Sequence, residues 1–180
     1  MTSIPKELEQ DADVLRFVGR FGEAIPGVVY FQGETTLLVD RESLLDVCRF
    51  AVEEEALQFN FLADVAGVDR LPETPRFEVN YHLLSLSRAR RIRLKCRLPE
   101  EDPQIPSVTS VWATADWLER EVFDLFGIHF EGHPDLRRIL CPEDWNGYPL
   151  RKDYPLFGYE ETVPSPKAPT KRGWYSTLSD

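Results

Sequence analysis

The sequence predicts an α+β fold: a single domain with a mainly antiparallel sheet flanked by helices, followed by a long extended C-terminal tail. Two neighbouring runs, 77–83 and 92–98, alternate apolar and polar residues, which is typical of paired antiparallel strands with one buried face. Segments with helical spacing of apolar residues lie on both sides of these runs. Neither period continues beyond Cys141, so we place the domain at 1–140 and the tail at 141–180.

The N-terminal part of the chain predicts a helix and a hairpin. The helix covers 6–21, because Pro5 suits a first turn and Gly22 suits a C-terminal stop. Its apolar face is formed by Leu8, Leu15 and Val18. Strands over 27–32 and 35–39 follow, joined at a Gly-Glu pair that is typical of a tight turn.

The middle of the chain predicts a second helix, a third strand and an acidic connection. Asp40 can cap a helix over 41–56, which carries an apolar stripe. A strand is expected over 59–69, before the alternating pair, and 100–110 is expected to be an acidic connection that contains proline. The last helix of the domain begins at Asp116, where Glu119 three positions later resembles a capping box, and ends at Gly127.

Composition excludes several classes of protein. The 180 residues carry a net charge of −10, which argues against nucleic acid as the main partner. No apolar run has the length of a membrane span, and the first residues lack the pattern of a secretory signal. Three distant cysteines, Cys48, Cys96 and Cys141, predict neither a disulfide framework nor an ordinary iron–sulfur cluster.

The charged residues of the last helix allow two interpretations. Glu119, Glu121 and Asp124 could supply a carboxylate pair for the acid–base chemistry of a free-standing hydrolase. The alternative, which we favour, is an ion-pair network in which Arg120 reaches Asp124 and the other charges face solvent or a partner. The sequence contains no nucleotide-binding glycine motif, nucleophile elbow or paired-cysteine motif, so we expect no catalytic residue and no cofactor in this chain.

Two further clusters have candidate functions. By residue type, His129, His133 and Cys141 could bind zinc, but the intervening glycines and Pro134 disfavour the helix that the histidine spacing needs, so we expect no metal site. A turn contact beside Pro134 is the expected role of His133. A basic strand could dock on an acidic partner or could simply be a solvated sheet face; its cations are Arg91, Arg93, Lys95 and Arg97.

The segment 141–180 holds 6 of the 14 prolines and seven aromatic residues, without any helical or strand period. Disordered tails are usually poor in aromatic residues. Ordering the backbone costs about 1–2 kcal/mol per residue, whereas each buried aromatic side chain returns only about 1.5–3 kcal/mol. The tail therefore needs another surface, and a partner chain is the natural one.

The residues around the last helix resemble a known family. The stretches that carry the resemblance are 115–128 (ADWLEREVFDLFGI), 132–140 (GHPDLRRIL) and 142–155, which includes PEDW and PLRKDYP. Together they resemble the signature of the 30-kDa subunit, also named the C subunit, of NADH:quinone oxidoreductase, or respiratory complex I. The sequence departs from the family's usual residues at Ala113, Cys141, Asn146 and Tyr148.

The resemblance implies a cofactor-free core subunit of the peripheral arm, on the cytoplasmic face of the bacterial plasma membrane and in contact with the membrane only through the complex. Its partners would be the D subunit above all, then the B subunit and neighbouring peripheral-arm subunits. The flavin mononucleotide and the iron–sulfur clusters that carry electrons from NADH to quinone, in reactions coupled to proton translocation, would lie in partner subunits.

The resemblance also implies a partner interface around the last helix and the tail. We expect the basic side chains to pair with acids on the neighbour, and Trp145, Tyr154 and Phe157 to be buried anchors. The full set of expected interface residues is Glu119, Arg120, Glu121, Asp124, His133, Arg137, Arg138, Trp145, Arg151, Lys152, Asp153, Tyr154 and Phe157. The equivalent subunit of a membrane-bound hydrogenase, of a ferredoxin- or deazaflavin-dependent dehydrogenase, or of the plastid-type enzyme remains an alternative.

Overall fold

A five-stranded sheet organises the computed structural model, which describes residues 2–155. In chain order its strands are β1 (Gly27–Phe31), β2 (Glu34–Leu38), β3 (Phe61–Asp69), β4 (Phe77–Ser85) and β5 (Arg90–Leu98). Their order across the sheet is β1-β2-β5-β4-β3, and every neighbouring pair is antiparallel except β2 and β5. The predicted α+β class with a mainly antiparallel sheet is confirmed.

The pairing of β4 with β5 follows the predicted alternation of apolar and polar residues. Phe77 lies opposite Leu98 and Ser85 opposite Arg90, without a bulge between them. One face of the pair is therefore apolar and buried from the Phe77–Leu98 pair to the Leu83–Ile92 pair, as at Tyr81 and Leu94. The hairpin of β1 and β2 is also confirmed, but its turn lies one position before the predicted Gly-Glu pair. Gln32 and Gly33 form it, both with positive φ, the backbone of a two-residue turn that suits antiparallel strands.

Within residues 2–155, three α-helices also contribute to the core: α1 (Ala12–Phe21), α2 (Leu44–Glu53) and α3 (Ala115–Phe126). The predicted start of the first helix is wrong, and so is the place of Leu15 on its buried face, although Leu8 is buried and Val18 packs against the core. A separate 3-10 turn occupies Lys6–Leu8, and Asp11 caps α1 by accepting hydrogen bonds from two backbone N–H groups. Leu15 is 45% exposed, and α1 instead buries Val14 and Phe17.

Two short strands that the sequence does not reveal bracket α3. They are β6 (Gln104–Pro106), within the expected acidic connection, and β7 (His129–Glu131), and they pair in parallel. Ile105 of β6 and Phe130 of β7 are buried. On its other side α3 packs on β3, so closely that a Cβ atom on Gly67 would lie 2.7 Å from the ring of Phe126. Both ends of α3 are therefore fixed to the domain.

The start of α3 differs from the predicted capping box, whereas its end agrees with the prediction. Thr114 precedes the helix without a side-chain cap, and the Glu119 carboxylate instead accepts hydrogen bonds from the Ser107 hydroxyl and the Val108 N–H, both at 2.7 Å. Gly127 ends the helix in the left-handed region, at φ 71°, and donates its N–H to the carbonyl of Phe123.

Candidate functional site

A single carboxylate on α3 holds the chain that follows β7. Asp124 is fully buried, and its Oδ2 accepts hydrogen bonds from three successive backbone N–H groups, those of residues 139, 140 and 141, at 2.7–3.1 Å. Its Oδ1 accepts a fourth from Arg138 at 2.7 Å. Burial alone would raise the pKa of Asp124, but these hydrogen bonds outweigh burial and hold the pKa below its usual value. The carboxylate therefore stays charged and fixes the backbone at 139–141.

Arg138 extends this anchor to the next turn of the chain. Its guanidinium donates to the carbonyls of Trp145, at 3.3 Å, and Gly147, at 3.1 Å, and lies 5.3 Å from the ring centre of Tyr148. The expected ion pair between Arg120 and Asp124 is wrong, because Asp124 pairs with Arg138. Arg138 thus forms its ion pair with an acidic residue of its own chain.

Arg120 joins α3 to the same segment from the preceding turn of the helix. Its Nε donates to the carbonyl of Arg137 at 3.1 Å, and Nη2 donates to that of Arg138 at 3.4 Å. The guanidinium also lies 4.9 Å from the ring centre of Trp117 and 3.8 Å from an oxygen of Asp116. Arg120 is only 7% exposed, so it serves the domain itself.

His133 forms the expected turn contact. Its Nδ1 accepts the N–H of Asp135 at 3.0 Å, which places the proton on Nε2, and Nε2 lies 3.1 Å from the carbonyl oxygen of Asp116. The ring ties the 132–135 turn to the start of α3. Arg137, in contrast, is exposed and pairs with Asp135 at 2.9 Å.

Arg76 holds the far end of the described chain. This buried guanidinium contacts Asp69, Glu100 and Asp153, with shortest distances of 2.8, 2.5 and 2.7 Å. The backbone N–H of Lys152 also donates to Asp69 at 2.8 Å. Burial would raise the pKa of Asp69, but Arg76 and the backbone donors outweigh burial and lower it to about 2.

Residues 141–155 therefore lie on their own domain. Arg151 donates to the carbonyl of Phe126 at 2.6 Å, and the rings of Trp145 and Tyr154 stack with their centres 6.5 Å apart. Phe157 and the rest of the predicted tail, 156–180, lie outside the described residues.

The three carboxylates of the hydrolase hypothesis point in different directions. Glu119 is buried on the core side, Glu121 is exposed, and Asp124 holds the 139–141 backbone. Burial raises the pKa of Glu119 to about 7, although the Ser107 and Val108 donors oppose the shift. A raised pKa can mark an acid–base catalyst, but here the carboxyl is enclosed by the core and both its oxygens accept hydrogen bonds from the 107–108 loop.

The other candidate clusters are separated or neutralised. His129 is exposed on β7 and the His133 ring is held by the turn contact, and residues 2–155 contain no group of three or more His, Cys, Asp or Glu placed to hold a metal ion. On β5, Lys95 and Arg97 both bind the buried Glu78, and Arg93 binds Glu34. Much of the basic patch is thus balanced within the sheet.

Three exposed apolar side chains beside this network were not found from the sequence. Trp117 is 64%, Leu140 61% and Leu150 51% exposed. The position of Trp117 on an exposed helix face could have been found from helical spacing, because Glu121 shares that face. For the two leucines there was no such signal, since their exposure depends on long-range hydrogen bonds.

Comparison with known proteins assigns the family. The family model described as "Respiratory-chain NADH dehydrogenase, 30 Kd subunit" matches residues 37–160. The chain belongs to this family. Within it, the chain is similar to the C 2 subunit of NADH-quinone oxidoreductase from Rhizobium meliloti (strain 1021), with 49% identity over 86% of this chain and 85% of the relative. It is also 48% identical to the C subunit of NADH-quinone oxidoreductase from Geobacter sulfurreducens, over 83% of this chain and 92% of that protein.

Solved structures share the fold of this chain. A trypsin-resistant fragment of Nqo5 is 38% identical and superposes with a TM-score of 0.58, over 68% of this chain and 98% of the fragment. A chain of the membrane-bound sulfane sulfur reductase, an archaeal respiratory membrane complex, gives a TM-score of 0.67 over 81% of this chain and 85% of its own length. Its identity is 24%, so it shows the shared fold alone. Over 2–155, no helix of this family member is long and apolar enough to cross a membrane.

Proposed function

We propose that this chain is a cofactor-free, non-catalytic core subunit in the peripheral arm of a proton-translocating NADH:quinone oxidoreductase. In this role it supports assembly around the quinone-reducing D subunit, with the B subunit and other arm subunits nearby. Electrons would pass from NADH through flavin mononucleotide and iron–sulfur clusters held by those partners. The complex would place the chain on the cytoplasmic face of the bacterial plasma membrane.

The use of the charged groups around α3 is the observation that carries the proposal. Asp124, Arg120 and Arg138 direct their polar atoms at backbone groups of the 137–147 segment and at one another. A hydrolytic site based on acid–base carboxylates needs them to converge on a substrate, whereas this arrangement gives the segment a fixed path. A fixed surface is what a subunit offers to its neighbours, because ordering it beforehand lowers the entropy lost on association.

Affinity purification of the tagged full chain from membranes tests the proposal. We expect the chain to bring with it a flavin-containing, NADH-oxidising subunit and subunits that contain iron–sulfur clusters. Recovery of the subunits of a hydrogenase or of a ferredoxin-dependent dehydrogenase instead would assign the chain to a related complex. Recovery of the chain alone, from membranes in which such a complex is intact, would contradict a subunit role.

A chain that ends at residue 155 tests the contribution of the tail. It keeps Asp153 and the contacts of Arg76, so the domain is expected to fold normally. We expect it to recover less of the complex than the full chain, since the segment 156–180 holds four of the seven aromatic residues of the predicted tail. Equal recovery by the two chains would show that the tail beyond the domain is dispensable.

A further inference from the structure

Three exposed apolar side chains, Trp117, Leu140 and Leu150, are supported by the buried network around α3. Leu140 is the middle of the three residues whose N–H groups bind Asp124, at 2.7 Å. Leu150 donates its own N–H to the carbonyl of Leu125 at 3.1 Å. We call these three side chains the α3 apolar surface.

The positions of the three side chains follow the length of α3. Trp117 and Asp124 are seven residues apart, so they lie on the same face of the helix, about 10 Å apart along its axis. Leu140 is held at Asp124 and Leu150 at Leu125, so the backbones of both lie against the second half of α3, whereas Trp117 lies in its first turn.

These side chains are exposed although their surroundings are rigid. Single exposed apolar side chains are ordinary on protein surfaces. Here the backbone of Leu140 is fixed by a buried carboxylate with three N–H donors and an arginine, and the indole of Trp117 stacks on the buried Arg120. Apolar groups held still in water lose little entropy on binding, and Trp is prominent among the residues that dominate the energy of interfaces.

The charges beside the surface define the partner. Glu121, one turn from Trp117 on α3, and Glu143 and Asp144, shortly after Leu140, are all exposed. Among the residues that the structure describes, none of these three acids has an ion-pair partner. Arg137, an exposed cation near Leu140, is already paired with Asp135, and the exposed Lys152, two residues after Leu150, donates to the carbonyl of Leu71 at 3.2 Å. The surroundings of Trp117 and Leu140 are therefore acidic, and complementarity calls for basic residues on the partner at this part of the surface.

We propose that the α3 apolar surface is the docking site for another subunit of the same complex, one that presents an apolar patch bordered by Lys and Arg. This inference rests on the proposed function, because the occupant is a subunit of the complex. It differs from the expectation that aromatic residues of the tail are the anchors, since Trp145 and Tyr154 stack on each other within the chain.

The test compares tagged full chains purified from membranes, with the recovery of the other subunits measured per tagged chain. We expect Trp117→Ala and Leu140→Ser each to lower this recovery by about tenfold, as loss of an anchor residue does. Leu86→Ser is the matched control, because Leu86 is 62% exposed in the turn between β4 and β5, and its recovery is expected to equal that of the unchanged chain.

Charge reversal tests the chemistry of the partner. We expect Glu121→Lys to lower recovery, most strongly at low salt, and Glu55→Lys, the same change at another exposed position, to leave it unchanged. Because all these side chains are exposed, the melting temperatures of the purified chains should stay within about 2 °C of the parent. If the melting temperature of one variant falls further, that variant is set aside and the proposal is judged on the other two.

The outcomes separate this inference from the proposed function. Normal recovery with Trp117→Ala, Leu140→Ser and Glu121→Lys, while the unchanged chain still brings down the complex, would overturn the docking surface and leave the subunit role standing. Failure of the unchanged chain to bring down any subunit would contradict the subunit role itself. A purified chain that dimerises, and becomes monomeric on Leu140→Ser, would assign the surface to a second copy and overturn the proposal of a different partner.

Discussion

Replacing Asp124 with asparagine tests the network on which the α3 region depends. The substitution keeps the size of the side chain and one oxygen that can still accept from the three N–H groups of 139–141. The second oxygen becomes an amide NH₂, a donor that then faces the guanidinium of Arg138, which now contacts Oδ1 at 2.7 Å. A charge-assisted hydrogen bond is thereby replaced by two donors facing each other.

The size of the effect follows from burial. The Asp124 side chain is fully buried and that of Arg138 is 16% exposed. Loss of a hydrogen bond between charged groups costs about 1.5–3 kcal/mol, and leaving one member of a buried pair without its partner costs about 3–5 kcal/mol. Because Arg138 keeps its carbonyl contacts, we expect Asp124→Asn to lower the free energy of unfolding by about 3 kcal/mol. For a domain of this size that is a fall in melting temperature of roughly 6–12 °C.

The assay is thermal unfolding of the purified full chain, followed by circular dichroism, with Glu121→Gln as the control. Glu121 is an exposed carboxylate on the same helix, so its replacement is expected to change stability by less than about 0.5 kcal/mol. The pH dependence gives a second measurement. The folded pKa of Asp124 is below its usual 3.8, so the stabilisation is present above pH 3.8 and is lost as pH falls through the folded pKa. The melting temperatures of the parent and of Asp124→Asn should therefore converge in acid. At pH 7, a melting temperature of Asp124→Asn equal to that of the Glu121→Gln control would refute the reasoning.

Three other substitutions test separate parts of the domain. The pKa of Glu119 is raised from 4.5 to about 7, so its contribution to stability is complete below pH 4.5 and is lost as pH rises through about 7. Glu119→Gln should remove this loss, so that between pH 5 and pH 8 its free energy of unfolding in urea rises by on the order of 3 kcal/mol relative to that of the parent. Parallel pH profiles for the two proteins would contradict this. Gly67→Ala should lower the urea midpoint by an amount equivalent to about 1–3 kcal/mol, because the new Cβ would lie 2.7 Å from the Phe126 ring. Arg76→Leu should cost about 3–5 kcal/mol by the same assay, since it leaves the carboxylate of Asp69, whose side chain is 1% exposed, without its cation; a loss below 1 kcal/mol would show that the Arg76 cluster contributes little.

The parts of the fold that depend on local patterns could be predicted from the sequence. The alternation in β4 and β5 reports one buried face, and the residues that cause it are neighbours in the chain. The stop of α3 at Gly127 was equally local, because it needs only one residue in the left-handed region. The class, the hairpin and the presence of the three helices follow from such signals, whereas the starts of the first and last helices do not.

The connections between distant segments could not be predicted in the same way. Arg120 and Asp124 have the spacing of a helical ion pair, yet Asp124 binds Arg138, fourteen positions further along. Glu119 has the spacing of a capping box, yet the approach of the 107–108 loop draws it into the core. In both cases a local rule competes with a tertiary contact that satisfies several buried groups at once, and the tertiary contact wins.

The place of β5 in the middle of the sheet has a consequence for biosynthesis. β5 is the last of the five strands to be made, yet it separates β2 from β4, so the sheet cannot close before Leu98 has left the ribosome. Thr36 of β2 must then find Arg93, a separation of 57 positions, which is a slow search because the entropy of closing a loop grows with its length. Until that pairing forms, the edge of β2 has no strand beside it, and we expect the growing polypeptide to be most prone to association with other chains during this interval.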